Sequence, residues 1–281
     1  MKTLSSLCVT ALASGLLFSA CADKKSTENT ETKMEMHSHD SMSALEIALD
    51  SDLRGEQKLR DGFRHPKETL EFFGLAAGQN VIEIYPGGAG WYTNILAPFI
   101  KENGGTYTAA GVNDTFRETF SDVEKYGDVK IVEFGGTSGA LAAGDADLVL
   151  TFRNVHNWVG RGFADKAFVD FYAALKPGGI LGVVEHRLPE SEEQDLNTRG
   201  GYVQVSYVKA LAKEAGFEFV RASEVNANAD DTADHPFGVW TLPPISRNAK
   251  RDEEMAADFD AAKYKAIGES DRFTIMFRKP K

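Results

Sequence analysis

The segment best equipped for chemistry is Val81-Ile82-Glu83-Ile84-Tyr85-Pro86-Gly87-Gly88-Ala89-Gly90-Trp91-Tyr92-Thr93. It reads as an apolar strand, a glycine-rich turn and the start of a helix. Glycines permit the sharp turn and let a ligand approach the backbone. The helix start offers free N–H groups to a negative group. Glu83, near the strand end, suits an ammonium or a hydroxyl. A second run, Phe152-Arg153-Asn154-Val155-His156-Asn157-Trp158, follows another apolar strand. His156, whose ordinary pKa lies near neutrality, is either a general base or a histidine hydrogen-bonded within its loop. Arg153 and Asn154 suit the amino-acid end of a cofactor or a substrate carboxylate, since a guanidinium matches a planar anion. His186 and Arg187 end a further strand. Two or three converging histidines, with Glu185 or Asp234, could also bind a metal. No His-x-x-x-His pair supports it, and no metal is expected. His235 is expected to close over His156 and His186. Trp91, Tyr92 and Trp158 line a pocket or belong to the core. Arg60, Asp61 and His65 either cap the cleft or pair on the surface. Neither a Gly-x-Ser-x-Gly elbow nor a phosphate-binding Gly-x-x-x-x-Gly-Lys-Ser/Thr loop occurs.

The elements that must carry these residues alternate. Strands are predicted over Val81–Tyr85, Thr106–Val112, Lys130–Phe134, Asp147–Phe152, Ile180–Glu185, Phe217–Val225 and Phe273–Lys279. Helices are predicted over Pro66–Gly74, Trp91–Lys101, Asp165–Leu175 and Tyr202–Ala215, with Lys176-Pro177-Gly178-Gly179 stopping the third. Strands separated by helices, several continuously apolar, imply a mostly parallel sheet covered on both faces. Ligands then bind at the carboxyl ends of the strands. The stretch from Asn226 to Asp271 is too long for a hairpin loop and is expected to be an insertion or lid over the site.

On these residues the chain, from about residue 45 to its end, resembles the class I S-adenosylmethionine-dependent methyltransferases. More narrowly, it is similar to exported bacterial methyltransferase-like proteins with a Glu-x-x-Pro-Gly-Gly-x-Gly-Trp-Tyr signature, here Glu83 to Tyr92. Arg60-Asp61 with His65-Pro66, the run Phe152 to Trp158, Leu175 to Gly179, Val184 to Arg187, His235-Pro236-Phe237, Trp240 and Leu242-Pro243-Pro244 carry the same likeness. The resemblance implies a Rossmann-like seven-stranded α/β sheet, helices on both faces, an antiparallel C-terminal strand, and S-adenosylmethionine as cofactor. Glu83, Tyr85, Pro86, Gly87, Gly88 and Gly90, with Arg153 and Asn154, would hold the cofactor, and His156 or His186 would orient the acceptor. Tyr85 stands where the wider superfamily has its first Gly and Ala89 where it has its third. The ribose hydroxyls would fall to Asn113 or Asp114; Asp114 is preferred, because a carboxylate accepts two hydrogen bonds. Export and the altered glycine pattern motivate a second reading, an exported small-molecule-binding protein on a scaffold that has lost catalysis.

Composition sets outer bounds. The 281 residues are 42% hydrophobic and 26% charged, a globular composition. Lys and Arg number 31 against 42 Asp and Glu, a formal charge of −11 that disfavours a nucleic-acid partner. Lys2 followed by the uncharged stretch Leu4 to Phe18 reads as an export signal over 1–20, and Phe18-Ser19-Ala20-Cys21 resembles a bacterial lipobox. Cys21 would carry lipid and tether the chain to a membrane on the periplasmic side. Ala22, rather than Asp, after the cysteine favours the outer membrane. Cys8 lies in the segment removed, so no cysteine nucleophile or Cys-based zinc site is expected. Residues 21–44 read as a polar tether, although Met34, Met36, His37, His39, Asp40 and Met42 offer copper ligands. A small-molecule substrate is expected, and the oligomeric state is left open.

Overall fold

In the computed structural model, β1 (Asn80–Ile84) sits mid-sheet between β2 (Thr106–Ala110) and β4 (Ala146–Phe152), parallel to both. The described residues are 42–141, 144–250, 254–255 and 257–281. They fall in the unit Ser41–Lys281. The expected signal, Cys21 and the tether up to residue 41 lie outside the described residues. Among the described residues no helix is long and apolar enough to cross a membrane.

The remaining strands are β3 (Lys130–Val132), β5 (Leu175–His186), β6 (Glu218–Ser223) and β7 (Arg272–Arg278), in the order β3-β2-β1-β4-β5-β7-β6. The sheet is parallel except for β7, which runs antiparallel to both β5 and β6. The fold is therefore the seven-stranded Rossmann-like sheet expected from the sequence.

Helices α1 (Ala44–Asp50), α2 (Asp61–Arg64), α3 (Pro66–Phe73) and α4 (Thr93–Asn103) precede β2. Next come α5 (Asp114–Thr119), α6 (Val123–Tyr126), α7 (Val155–Gly160), α8 (Ala164–Ala174), α9 (Val205–Glu214) and α10 (Ala261–Ile267). Local sequence explains several boundaries. Ser43 and Glu46 form a capping box on α1. Pro66 opens α3, and Gly74 closes it in the left-handed region. Helix α8 ends at Ala174, just before Lys176–Gly179 as expected, and those four residues form a bulge at the start of β5. Ala146 pairs with Leu175, and the register then shifts to Leu148 with Ile180.

Each face of the sheet has its own core. Trp158, Phe168, Phe171, Val208 and Leu211 cover one side. Leu70, Phe73, Ile95, Leu96 and Phe99 cover the other. The strand order reverses between β1 and β4, which opens a crevice at their carboxyl ends. Because β7 is antiparallel, its first residue, Arg272, pairs with His186 at that same end.

Candidate functional site

The crevice is a cleft of about 340 Å³ lined from β1 by Glu83, Tyr85, Pro86 and Gly87, and from the end of β4 by Phe152, Arg153, Asn154 and His156. His186 comes from β5, and Glu269 and Ser270 from just before β7. Trp240, Leu242, Pro243 and Pro244 of the 226–271 insertion form the outer wall. A second hollow of about 410 Å³ lies on the other flank of the β1 loop, between Gly111, Asn113, Glu133 and Phe134. Tyr85, Gly87, Asn154 and Asn157 line both.

Glu83 is buried beneath the loop. Tyr107 Oη and Thr93 Oγ1 both donate to its Oε2, at 2.5 and 3.0 Å. Burial pushes its carboxyl up to about 7, against the pull of those two hydrogen bonds. The three glycines divide the work. Gly87 (φ +72) has open space where a Cβ would stand, so a ligand can reach its backbone. A Cβ at Gly90 would lie 2.3 Å from Phe120 Cζ, so Gly90 answers to packing. At Gly88 it would press on Thr115 at 3.2 Å. Gln57, which the sequence did not single out, braces the loop by donating to Ala89 O at 2.9 Å.

The Tyr85 ring turns toward the ends of β2 and β3. Its edge fills the space over Gly111, where a Cβ would lie 2.1 Å from Tyr85 Cε1. It packs edge-on against Phe134 and Trp158, and its hydroxyl donates to Phe134 O at 3.3 Å. Asn154 spends its amide N–H₂ on Ile84 O, Tyr85 O and Phe152 O, so it ties the β1 and β4 ends together. Asp114 is exposed on the first turn of α5 and lines neither hollow; Asn113 lines the second one and caps α5 by accepting from Phe116 N.

His156 and His186 do converge, with ring centroids 5.4 Å apart. Glu185, wholly buried, binds both: His156 Nδ1 lies 3.0 Å from Oε1, and the backbone N–H groups of His186 and His156 donate to Oε1 and Oε2. A carboxylate beside Nδ1 fixes the tautomer that carries a proton there, which leaves Nε2 free to accept one. His186 is held neutral, its pKa pushed well below the usual histidine range by burial and by His156, Arg153, Arg272 and Arg64. Its Nδ1 meets Ser270 Oγ at 2.6 Å. Ligand atoms of His156, Glu185 and His186 lie within 4.8 Å of one another, a convergence the sequence spacing did not signal. Both Glu185 oxygens are already hydrogen-bonded, which marks it as an orienting group.

His235 does not close over these histidines. It is buried against Asp231 (Nε2 to Oδ1, 2.8 Å) and stacks edge-on with Tyr264, bracing the insertion. Asp234 is exposed and accepts from Thr232. Arg187 pairs with Glu224 and Asp271. Asp61 pairs with buried Arg54, and Arg60 with Glu269.

The largest feature missed by sequence reasoning is the arginine cluster around Glu269. Arg60 Nε, Arg64 Nε and Arg272 Nη1 converge on its carboxylate at 2.5, 3.1 and 3.2 Å. Residues some 205 positions apart meet here, and no local pattern announces that.

No protein-family model matches the chain, and no curated protein matches it by sequence. Solved structures do match in fold. A SAM-dependent methyltransferase from Aquifex aeolicus aligns over 82% of this chain and 99% of its own, at 16% identity and TM-score 0.50. The [4+2]-cyclase SpnF aligns over 77% and 80%, at 15% identity and TM-score 0.51. A putative methyltransferase complexed with the Haloferax volcanii activator Trm112 aligns over 85% and 98%, at 12% identity and TM-score 0.51. The chain thus has the fold found in SAM-dependent methyltransferases. The cyclase illustrates that this fold hosts more than one reaction.

Proposed function

We propose that the protein is a methyltransferase that uses S-adenosylmethionine and acts on a small acceptor held beneath the 239–245 wall. The observation carrying this reading is the pair of hollows meeting at Gly87, whose backbone is bare toward both. An elongated ligand crossing Gly87 would have one end beside Val112 and Asn113 and the other beside Glu83. The residues present fit the group at the loop. At the ribose they offer Asn113 in place of a buried carboxylate. When bound, the cofactor would supply a methyl group already activated by its sulfonium charge.

The protein's part is alignment and dryness. Glu83, Pro86 and Gly87 shape the cradle. Trp91, Tyr92, Phe152, Trp240, Leu242 and Pro243 exclude water from the acceptor end. His156 Nε2, oriented through Nδ1 by Glu185, accepts the proton an acceptor must lose, and neutral His186 holds Ser270 in place.

Calorimetric titration of the chain with S-adenosylmethionine and its demethylated product tests this. Micromolar binding, weakened at least tenfold by Gly87→Val, is expected; no binding at millimolar ligand removes the reading. A second reading, a binding protein without turnover, is favoured by the Tyr85 ring over Gly111 and by the exposed position of Asp114. Binding of both ligands with no methyl transfer to any small-molecule extract would select it.

We further propose that the protein is exported, lipidated on Cys21 and held at the outer membrane. Incorporation of a clickable palmitate in the parent and not in Cys21→Ala tests the anchor, and membrane fractionation tests the address.

A further inference from the structure

We infer that the cleft takes an acceptor bearing an anionic oxygen group, a carboxylate or a phosphate, and that Arg153 is the residue that receives it. The observations come from the backbone, from the pairing of charges and from the cleft walls.

Arg153 has φ +63, a left-handed conformation that L side chains rarely adopt. Its N–H is held to Val184 O at 2.7 Å, so the strain is fixed by the β4–β5 ladder. Strain of this kind collects where a side chain must be aimed. Here the side chain lines the cleft, and its guanidinium finds no hydrogen-bond or ion-pair partner among the described residues. Five N–H donors in a fixed fork, taken up by no acceptor and facing a cleft, are an open socket for a planar anion.

The neighbourhood deepens the charge. Arg60, Arg64 and Arg272 share the single carboxylate of Glu269. Arg64 Nη1 and Arg60 Nη2 are buried without partners. Arg64 stacks on Trp91, whose ring lines the cleft. The crowding registers in the groups themselves: burial and Arg153 bring Arg64 down to about 8, and burial and Arg272 bring Arg153 down to about 10. Guanidinium groups that repel one another at a half-desolvated site are relieved by an incoming negative charge. Glu83, the other carboxyl on the cleft, is pushed toward its neutral form and supplies little of that charge.

The walls say what carries the anion. Trp91, Tyr92, Phe152, Trp240, Leu242 and Pro243 line the same cleft as Arg153, so an apolar or aromatic body is expected behind the charged group. His156 lies on the same cleft, beside the reacting end of such a molecule. Calling the ligand an acceptor rests on the methyl-transfer reading above; the anion socket itself is tested by binding alone.

The test is calorimetric titration of the full chain with benzoate, phenyl phosphate and neutral benzamide, with and without S-adenosylhomocysteine, for the parent, Arg153→Gln and Arg153→Lys. At least one of the two anions should bind tenfold or more tightly than benzamide, and whichever is tighter separates carboxylate from phosphate. Arg153→Gln should erase that preference, Arg153→Lys should restore part of it, and S-adenosylhomocysteine affinity should stay within about threefold. Equal binding of benzoate, phenyl phosphate and benzamide by the parent overturns the inference, while leaving methyl transfer standing if S-adenosylhomocysteine still binds. A loss of S-adenosylhomocysteine affinity in Arg153→Gln as large as the loss for the anion also overturns it, since Arg153 would then hold the cofactor's own carboxylate. Anion preference without any S-adenosylhomocysteine binding keeps the socket and removes the methyltransferase reading.

Discussion

Glu83 and Glu269 are both buried glutamates lining the same cleft, yet their surroundings drive them to opposite charge states. Glu83 sits on the β1 side among hydroxyls, with Tyr107 and Thr93 as its hydrogen-bond partners. Those two hydrogen bonds offset only part of the desolvation, so burial pushes its carboxyl up to about 7. Glu269 sits on the β7 side. Burial would raise it too, but Arg64, Arg272 and Arg60 outweigh burial and hold it below the usual carboxylate range. The β1 side of the cleft is built to be nearly neutral, and the β7 side is a charged lattice with more positive than negative members. A ligand that is cationic or neutral at one end and anionic at the other would match both.

The lattice is where a single change should cost most. Glu269→Gln leaves three guanidinium groups without their shared counter-charge. Removing one partner of a buried ion pair typically costs about 3–5 kcal/mol, and urea denaturation at pH 7 should show a loss of that size or no folded protein at all. Arg60→Gln removes a member that is 27% exposed and should cost under about 1 kcal/mol. Because the Glu269 pKa is lowered, its contribution is full above the ordinary carboxylate pKa and fades as the pH falls through the folded value. If the two substitutions cost the same, the lattice is not centred on Glu269.

The β1 side should respond through shape. Gly90→Ala puts a methyl group against Phe120 and adds left-handed strain (φ +48), together roughly 2–4 kcal/mol. Gly87→Ala carries only the strain, about 1 kcal/mol, because nothing stands in the way. Thermal melts should separate the pair, and calorimetry should reverse their order: the milder Gly87→Ala should weaken S-adenosylhomocysteine binding more than Gly90→Ala does. Equal effects in both assays would mean that Gly87 is only another turn glycine.

Glu83 offers the pH contrast to Glu269. Its pKa is raised from 4.5 to about 7, so stability is full below pH 4.5 and declines as the pH climbs through 7. Glu83→Gln cannot ionise and should be more stable than the parent by about 2–3 kcal/mol at pH 8, with no gain at pH 4.5. A gain of equal size at both pH values would show that packing, and not charge, is responsible.

The sequence revealed most of the β1 side and little of the β7 side, for a physical reason. Strand, glycine turn and helix are local patterns, so Glu83, Gly87 and the turn between them were readable in order. The seven strands, mostly parallel with an antiparallel C-terminal one, followed from the alternation of elements and the family likeness together, whereas the order β3-β2-β1-β4-β5-β7-β6 came with the structure. His156 and His186 were found because each ends an apolar strand. Arg64, Glu269 and Arg272 were not, because they meet only when an antiparallel last strand delivers its first residues beside the carboxyl end of β5. Glu185 was seen only as a candidate metal ligand beside converging histidines; its hold on His156 depends on a side-chain approach across 29 positions. Asp114 was preferred over Asn113 on hydrogen-bonding capacity; both are exposed, but Asn113, which caps α5, is the one that lines the second hollow. His235 was expected over the site because its segment is near it, and Asp231 drew it into the insertion instead.

The smallest effect bears on Arg153 and sharpens the contrast most. A side chain held at φ +63 stores roughly 1 kcal/mol that glycine would not. Arg153→Ala keeps the strain and removes the charge; Arg153→Gly removes both. Arg153→Gly should therefore be about 1 kcal/mol more stable than Arg153→Ala, less the few tenths glycine loses through its freer unfolded chain. It should be no less stable than the parent, since the arginine it replaces has no side-chain partner to lose. On a domain of this size the difference is a melting shift of about 2–4 °C. Removing a cleft arginine at no cost in stability would mean that the strain and the unpaired charge are kept for a ligand. An Arg153→Gly protein clearly less stable than the parent would instead make Arg153 a structural tie, and would place the β7 lattice in service of the fold alone.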